Sequence, residues 1–227
     1  RTGPRYFGAP VPQSRQERYG KGVFHCCSKE NIGHYASMAK IGTPRNRRSS
    51  APQYQLVPLR QEDLFLIMRW RNEQIDVLRQ NKPLTREDQE NYYKTIVEPS
   101  FSERFPRLML FSFLFDSVCI GYGGLTNIDW IAQRAEVSFI LDTKRYKQKE
   151  TYKKEFSAFL DLLKKVAFRE LGLYRLFTET FDIRPLHISI LEKNGFVREG
   201  VLRKHVRIRK TRKDSIMHGC LASEYHE

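Results

Sequence analysis

Three β-type runs follow one another between residues 107 and 141, and this succession limits the folds open to the chain more than any other feature. The runs read "RLMLFSFLF", "VCIGYGGLTNI" and "RAEVSFIL", and β-branched and aromatic residues dominate all three. An amphipathic helix pattern follows, with Phe156, Phe159 and Leu163 among the apolar residues of one face and lysines opposite. Because "GYGG" lies inside the second run with no helix after it, it predicts a strand with a bulge or close backbone packing rather than a phosphate loop. This order predicts a mixed α/β sandwich.

The elements around these runs complete the prediction of an α/β fold, an α+β arrangement with a mixed sheet. A strand "YQLVPL" is followed by a helix pattern that breaks near Arg71–Asn72. Thr85, with Asp88 three residues later, is typical of a helix N-cap. After the amphipathic helix, "YRLFTETF" predicts a strand, Pro185 begins a helix that Gly195 ends, and two strands follow around the turn "RKTRK". The predicted order is β, α, α, β, β, β, α, β, α, β, β.

Residues 1–53 differ from the rest of the chain and are predicted to form a basic N-terminal arm, with one domain over residues 54–227. The arm has no hydrophobic period, and its ten Lys or Arg outnumber its two Asp or Glu. Such a segment buries too little apolar surface to order itself, so we expect it to be extended unless a partner binds it. RNA or an acidic partner is expected to contact Arg45, Arg47 and Arg48.

Composition restricts the compartment and argues against a membrane span or a metal. No stretch approaches the roughly 18–20 apolar residues of a transmembrane helix, so a soluble protein is predicted. The four cysteines offer no disulfide framework, which favours a reducing compartment, either the cytoplasm or the mitochondrial matrix. A zinc site is not predicted, since adjacent cysteines are an unusual ligand spacing; the motif concerned is His25, Cys26, Cys27 and His34.

The C-terminal half carries a specific family resemblance. "EKNGF" followed by "REG", and later "DSIMHGCL", resemble the Gcn5-related N-acetyltransferases (GNAT), and the likeness extends from Tyr54 to about Glu224. The most similar branch is the one that acetylates the N-termini of ribosomal proteins and, in relatives, amino groups on nucleotide sugars. The resemblance implies the acyl-CoA N-acyltransferase fold, acetyl-CoA as cofactor and a primary amine as acceptor.

In that family, acetyl-CoA lies in a V opened between two strands, which correspond to "RAEVSFIL" and "YRLFTETF". The resemblance implies that the first strand holds the pantetheine arm through Val137, Ser138, Phe139, Ile140 and Leu141. The pyrophosphate of relatives rests on a glycine-rich loop at the next helix, where this chain has "TKRYKQKE". Two interpretations stay open, a decayed site or a coenzyme site lined by cationic side chains, namely Lys144, Arg145, Lys147 and Lys149.

The resemblance also implies a general base, Glu136, whose alternative role is an ion pair with Arg134 or with the basic hairpin. A general acid is harder to assign, because Leu191 stands where many relatives have a tyrosine. At the start of the same predicted helix, the family has an asparagine where this chain has Arg184, and a serine where this chain has His187. His187 is a candidate catalytic group that titrates near neutral pH, and the alternative is a packed histidine.

The hairpin "RKHVRIRKTRK" is predicted to bind RNA, phosphate or an acidic partner, or else to be a solvated hairpin. Its seven cationic residues are Arg203, Lys204, Arg207, Arg209, Lys210, Arg212 and Lys213. Three functions stay open. The chain is an acetyltransferase, or a catalytically silent GNAT-fold component of an RNA-rich assembly such as an organellar ribosome, or a sugar-nucleotide enzyme whose arm is a linker.

Overall fold

The computed structural model describes residues 53–226 and the backbone of Ile41–Gly42. The strands in this part of the chain are β1 (Ile41–Gly42), β2 (Tyr54–Pro58), β3 (Met109–Phe115), β4 (Val118–Asp129), β5 (Arg134–Leu141), β6 (Arg175–Phe181), β7 (Val197–Ile208) and β8 (Thr211–Leu221). They form one sheet in the order β1-β2-β3-β4-β5-β6-β8-β7. Neighbours are antiparallel except β5 and β6, which are parallel. The predicted mixed sheet is therefore confirmed.

The helices follow the predicted order with one addition. They are α1 (Leu64–Glu73), α2 (Arg86–Tyr92), α3 (Glu98–Ser100), α4 (Thr143–Lys147), α5 (Lys149–Lys164) and α6 (Pro185–Lys193). A π-helical turn joins α2 to α3, and another extends α5 to Glu170. The short helix α4 was not predicted, and it occupies the stretch where the family resemblance implied a loop.

Local sequence signals explain where most helices begin and end. Thr85 caps α2 through a reciprocal pair of hydrogen bonds with Asp88, as predicted. Pro185 is the first residue of α6, and Gly195 follows that helix with a φ of 82°, a conformation that favours glycine. The helix expected to break near Arg71–Asn72 ends slightly later, at Glu73.

Two hydrophobic cores cover opposite faces of the sheet, which gives three layers. On one face, Phe156 and Phe159 of α5 pack with Phe113 and Phe139. On the other face, Ile67 and Trp70 of α1 lie in a cluster with Leu110, Leu114 and Tyr122. The layers support the predicted α/β sandwich, and both faces of the central strands are buried. Cys119 and Cys220 are buried in strands, as their position in β-type runs predicted.

The glycines of "GYGG" keep β5 close to β4. A Cβ atom on Gly123 would lie 2.1 Å from the Ser138 carbonyl oxygen, and one on Gly121 would lie 2.7 Å from that of Ile140. Gly124 also has a φ of 152°, and a Cβ there would lie 2.0 Å from the carbonyl oxygen of Met109. The prediction of close backbone packing is confirmed, and β5 stays paired with β4 along its length.

Several predictions fall outside the described residues. They concern the arm, its Arg45, Arg47 and Arg48, and the motif from His25 to His34. The boundary at residue 53 stays a prediction, although the backbone of Ile41 and Gly42 pairs with β2. In the described part of the chain, every helix is too short or too polar to cross a membrane.

Candidate active site

The pairing between β5 and β6 stops after three residues, and this opens the sheet. Arg134, Ala135 and Glu136 pair with Arg175, Leu176 and Phe177. Beyond that point β5 continues beside β4 and β6 continues beside β8, so the two parallel strands diverge. A cleft of about 220 Å³ fills the V between them. Its walls include residues 137–139 of β5, residues 178–181 of β6, and Arg184 and His187 of the α6 region.

The open edge of β5 presents backbone groups to this cleft. The carbonyl groups of Ser138 and Ile140 point toward β4, as their closeness to Gly123 and Gly121 shows. Since peptide groups alternate in direction along a strand, those of Val137 and Phe139 point the other way. The pairing of Glu136 with Phe177 engages the Val137 N–H group, so the groups left open to the cleft are the Val137 carbonyl group and the backbone groups of Phe139. Gln74 donates from Nε2 to the Leu141 carbonyl at 2.8 Å and so occupies the end of this edge. The predicted set of five residues thus divides by backbone direction, because Ser138 and Ile140 face β4 whereas Val137 and Phe139 face away from it.

The predicted phosphate-binding stretch begins as a helix rather than a loop. The Asp142 carboxylate accepts hydrogen bonds from the N–H groups of Lys144 at 2.9 Å and Arg145 at 3.0 Å. A side-chain carboxylate therefore occupies the first anion-binding amides after β5. The chain turns at Gln148, and α5 begins at Lys149 without a side-chain cap. The amides exposed for an anion are those of the first turn of α5.

The four cationic residues of this stretch have different roles. Arg145 forms an ion pair with Glu155, and its guanidinium lies 5.5 Å from the ring centre of Phe115. It therefore stabilises the fold. Lys144, Lys147 and Lys149 are exposed and have no ion pair within residues 53–226. These three lysines flank the uncapped start of α5, where they are available to an anion.

Glu136 lies on the cleft at the point where the strands part. Its carboxylate accepts hydrogen bonds from Arg79 Nη2 at 2.6 Å and from Asn127 Nδ2 at 2.7 Å. The same Arg79 nitrogen donates to Glu179 of β6 at 2.9 Å. The predicted alternative partners of Glu136 are wrong, because Arg134 pairs with Asp129 and the hairpin contacts Glu179 and Asp76 instead. One guanidinium thus joins the two carboxylates across the V.

His187 is buried in a polar and aromatic cluster. The Tyr152 hydroxyl shares a hydrogen bond of 2.6 Å with His187 Nδ1 and accepts a longer one, of 3.3 Å, from Arg184. Burial, with a smaller effect of Arg184, lowers the pKa of His187 well below 6.5. Burial also raises the pKa of Tyr152 to about 12, so both groups are neutral near pH 7. These contacts favour the packed alternative for His187 over a titrating catalytic group.

The hairpin of β7 and β8 contacts Glu179, which lines the cleft. His205 Nε2 lies 3.8 Å from Glu179, and Arg209 at the turn forms an ion pair of 2.6 Å with Asp76. Arg207 and Arg212 stand directly opposite each other in the strand pairing, which is unfavourable for like charges. The other cationic hairpin residues have no ion pair among the described residues, and they are Arg203, Lys204, Lys210 and Lys213. The hairpin adds a cationic rim to the cleft.

Sequence reasoning missed Arg79, Glu179, Tyr152 and Gln74. Arg79 and Gln74 lie where the helix pattern breaks down after α1, and no local signal marks them. Glu179 offered a signal, because the family resemblance placed its strand beside that of Glu136. In the described part of the chain, no group of three or more His, Cys, Asp or Glu side chains is placed to hold a metal.

Comparisons with known proteins agree with this geometry. The chain matches the acetyltransferase (GNAT) domain family over residues 56–217. Among curated proteins, no sequence matches it. A Vibrio cholerae spermidine N-acetyltransferase in complex with CoA and spermine has a TM-score of 0.65 at 20% identity, covering 76% of this chain and 97% of that one. A chimera of the Vibrio cholerae enzyme and hSSAT gives 0.66 at 20% identity, with the same coverage. At such identities the structures show a shared fold.

We predict that His187 makes stability fall in acid. Its pKa in the folded protein is depressed, so below about pH 6.5 the unfolded chain binds a proton that the folded protein does not. The free energy of unfolding should then fall by up to about 1.4 kcal/mol per pH unit until the folded pKa is reached. His187→Gln should make this slope shallower in urea unfolding measured across a pH series. A residual slope is expected, because burial also lowers the pKa of His218.

The matched control is His226→Gln, which removes an exposed histidine. Equal slopes for the wild type and His187→Gln would contradict the packed assignment. They would mean that His187 takes up protons freely, as an acid–base catalyst must.

Proposed function

Because the chain belongs to the GNAT acetyltransferase family, we propose that it is an acetyl-CoA-dependent N-acetyltransferase that acts on a primary amine. One observation carries the proposal, the parting of β5 and β6 after Glu136 and Phe177. It exposes the backbone of a central strand inside a cleft, where that backbone has no partner strand. A thioester-linked arm can add to such an edge as an extra strand would.

The open edge of β5 would hold the coenzyme. The Val137 carbonyl group and the backbone groups of Phe139 are available to the amide groups of the pantetheine arm, and the N–H group of Phe139 would polarise the thioester carbonyl. The pyrophosphate would lie at the start of α5, over uncapped amides and near Lys144, Lys147 and Lys149. This arrangement favours the lysine-lined interpretation, in which side-chain charge does what glycine does in relatives. The Vibrio cholerae structure with CoA and spermine supports the coenzyme assignment for this fold.

Glu136 would act as the general base. The amine nitrogen attacks the thioester carbonyl carbon, the carbon–sulfur bond breaks, and a proton of the amine passes to the carboxylate directly or through water. Arg79 must move aside for the carboxylate to face the acceptor, and about half of the Arg79 side chain is exposed, at 51%. The acceptor amine would then enter where the guanidinium lies.

The charge around the cleft bears on the acceptor. The similar structures are named for spermidine, a polycation, whereas this cleft has a cationic rim formed by the hairpin. A polycation would be repelled there, so we assign an amine on a neutral or anionic molecule. A protein N-terminus, as in the ribosomal-protein branch, and an amino sugar on a nucleotide both meet this condition.

The alternative function, a silent RNA-contacting component of a ribonucleoprotein, rests on the same cationic hairpin. The comparisons give it no support, since the matched family is an acetyltransferase domain and the similar structures are named as acetyltransferases. Its other foundation, the arm, lies outside the described residues. The cytoplasm and the mitochondrial matrix both stay predictions for the compartment.

Replacing Lys147 and Lys149 together with alanine should weaken acetyl-CoA binding and reduce its dependence on salt. Both lysines are exposed and have no ion pair within residues 53–226, so their charge is available to the pyrophosphate. Isothermal titration calorimetry at several ionic strengths measures both quantities. Lys94→Ala with Arg107→Ala is the matched control for net charge, since both are exposed cations outside the cleft with no ion pair among the described residues. If the wild type does not bind acetyl-CoA, the enzyme proposal fails.

Glu136→Gln should lower kcat by roughly 10²–10⁴, the usual contribution of a positioned base, while acetyl-CoA affinity stays close to that of the wild type. Release of the coenzyme thiol reports turnover with three acceptors: spermidine, a peptide with an acidic N-terminal sequence, and a nucleotide-linked amino sugar. Glu103→Gln, which changes an exposed carboxylate outside the cleft, is the control. An unchanged kcat would place the base elsewhere. Coenzyme binding without turnover of any acceptor would favour the silent alternative.

A further inference from the structure

Arg184 is a cation of the cleft that lacks an anionic partner. It lies immediately before α6 and lines the V. No carboxylate among the described residues pairs with it, and its buried Nε atom has no hydrogen-bond partner. Its one side-chain hydrogen bond among the described residues is the donation from Nη2 to the neutral Tyr152 hydroxyl at 3.3 Å. Arg184 is half-buried, and because a partly desolvated charge without a counter-charge is unfavourable, the site favours an anion that the described residues do not supply.

Two further groups face the same cleft with unused hydrogen-bonding capacity. Thr178 of β6 is 4% exposed, lines the cleft, and its Oγ1 has no partner. The start of α6 has no side-chain cap, and its first backbone hydrogen bond is donated by Ile188. Pro185 has no N–H group, and Arg184 donates its own to Phe181. The open N–H groups are therefore those of Leu186 and His187 in the first turn. A guanidinium, a hydroxyl and a helix N-terminus therefore converge on one wall of the V.

We infer that these groups form an anion site for the thiolate of coenzyme A, with Arg184 as a catalytic residue. The inference rests on the proposed function. A thioester bound between the open edge of β5 and the wall formed by β6 and α6 would present its sulfur to Arg184 when its carbonyl meets the β5 backbone. When the carbon–sulfur bond breaks, the electron pair stays on sulfur, and the guanidinium stabilises that charge.

This role replaces the acid that the sequence lacks. Leu191, at the position of the family's tyrosine, is completely buried in the core and holds no proton to give. A guanidinium cannot donate a proton either, because it stays charged under all ordinary conditions. The coenzyme therefore leaves as a thiolate paired with Arg184. It takes its proton from water afterwards, while the proton of the amine goes to Glu136.

The ionisation of bound coenzyme A tests this directly. The thiolate absorbs in the ultraviolet and the thiol does not, so a pH titration of the complex gives the pKa of the bound thiol, which is about 8.5 for an ordinary thiol. In the wild type it should lie at least about one pH unit lower, because a cation next to sulfur favours the thiolate. Arg184→Gln should return it to the ordinary value. Arg184→Lys should keep much of the shift.

Desulfo-coenzyme A provides a second comparison, since it lacks the sulfur. Above the thiol pKa, Arg184→Gln should weaken binding of coenzyme A and leave binding of the desulfo compound unchanged. Lys94→Gln removes an exposed cation outside the cleft, from the π-helical turn after α2, and is the matched control, with no effect on either quantity. A wild-type complex with an ordinary thiol pKa would overturn the inference while leaving the proposed function intact. Failure of the wild type to bind coenzyme A would instead remove the proposed function.

Discussion

The packing of Phe139 against α5 fixes the strand on which the rest of the site depends. Its ring lies 4.6 Å from that of Phe156 and 4.3 Å from that of Phe159, measured between ring centres. On the other edge, the glycines of β4 let the β5 backbone approach closely. β5 is therefore held on one face by the Phe139 side chain and along one edge by β4. It does not need β6 as a partner beyond Glu136, and its outer edge stays open.

Charge in the cleft is arranged around that opening. Arg79 joins Glu136 and Glu179 across the V, while Arg184 stands apart without a carboxylate among the described residues. The paired carboxylates lie where an amine would approach, and the unpaired guanidinium lies where a thiolate would leave. The attacking amine would thus meet negative charge, and the leaving thiolate would meet positive charge. Both would lie in a cleft with buried walls, where charges interact more strongly than in water.

Local signals in the sequence were sufficient for much of the fold and for part of the site. The capping box at Thr85, Pro185 at a helix start and the period-two strands each act within a few residues, so they could be identified without the structure. Helix α4 was not predicted. Its start depends on capping by Asp142, whereas the stretch after Asp142 was interpreted only from its lack of glycine. The partner of Glu136 was missed because Arg79 lies 57 residues away in an irregular segment. Contacts of that kind are set by tertiary packing, and no local pattern encodes them.

The central claim is that the open edge of β5 receives the coenzyme, and amide hydrogen exchange with and without coenzyme A tests it most directly. The N–H group of Phe139 should gain protection on binding. Those of Ser138 and Ile140 should change little, because they already face β4, and that of Val137 should change little, because the last pairing with β6 engages it. Binding of coenzyme A without added protection at Phe139 would contradict the account.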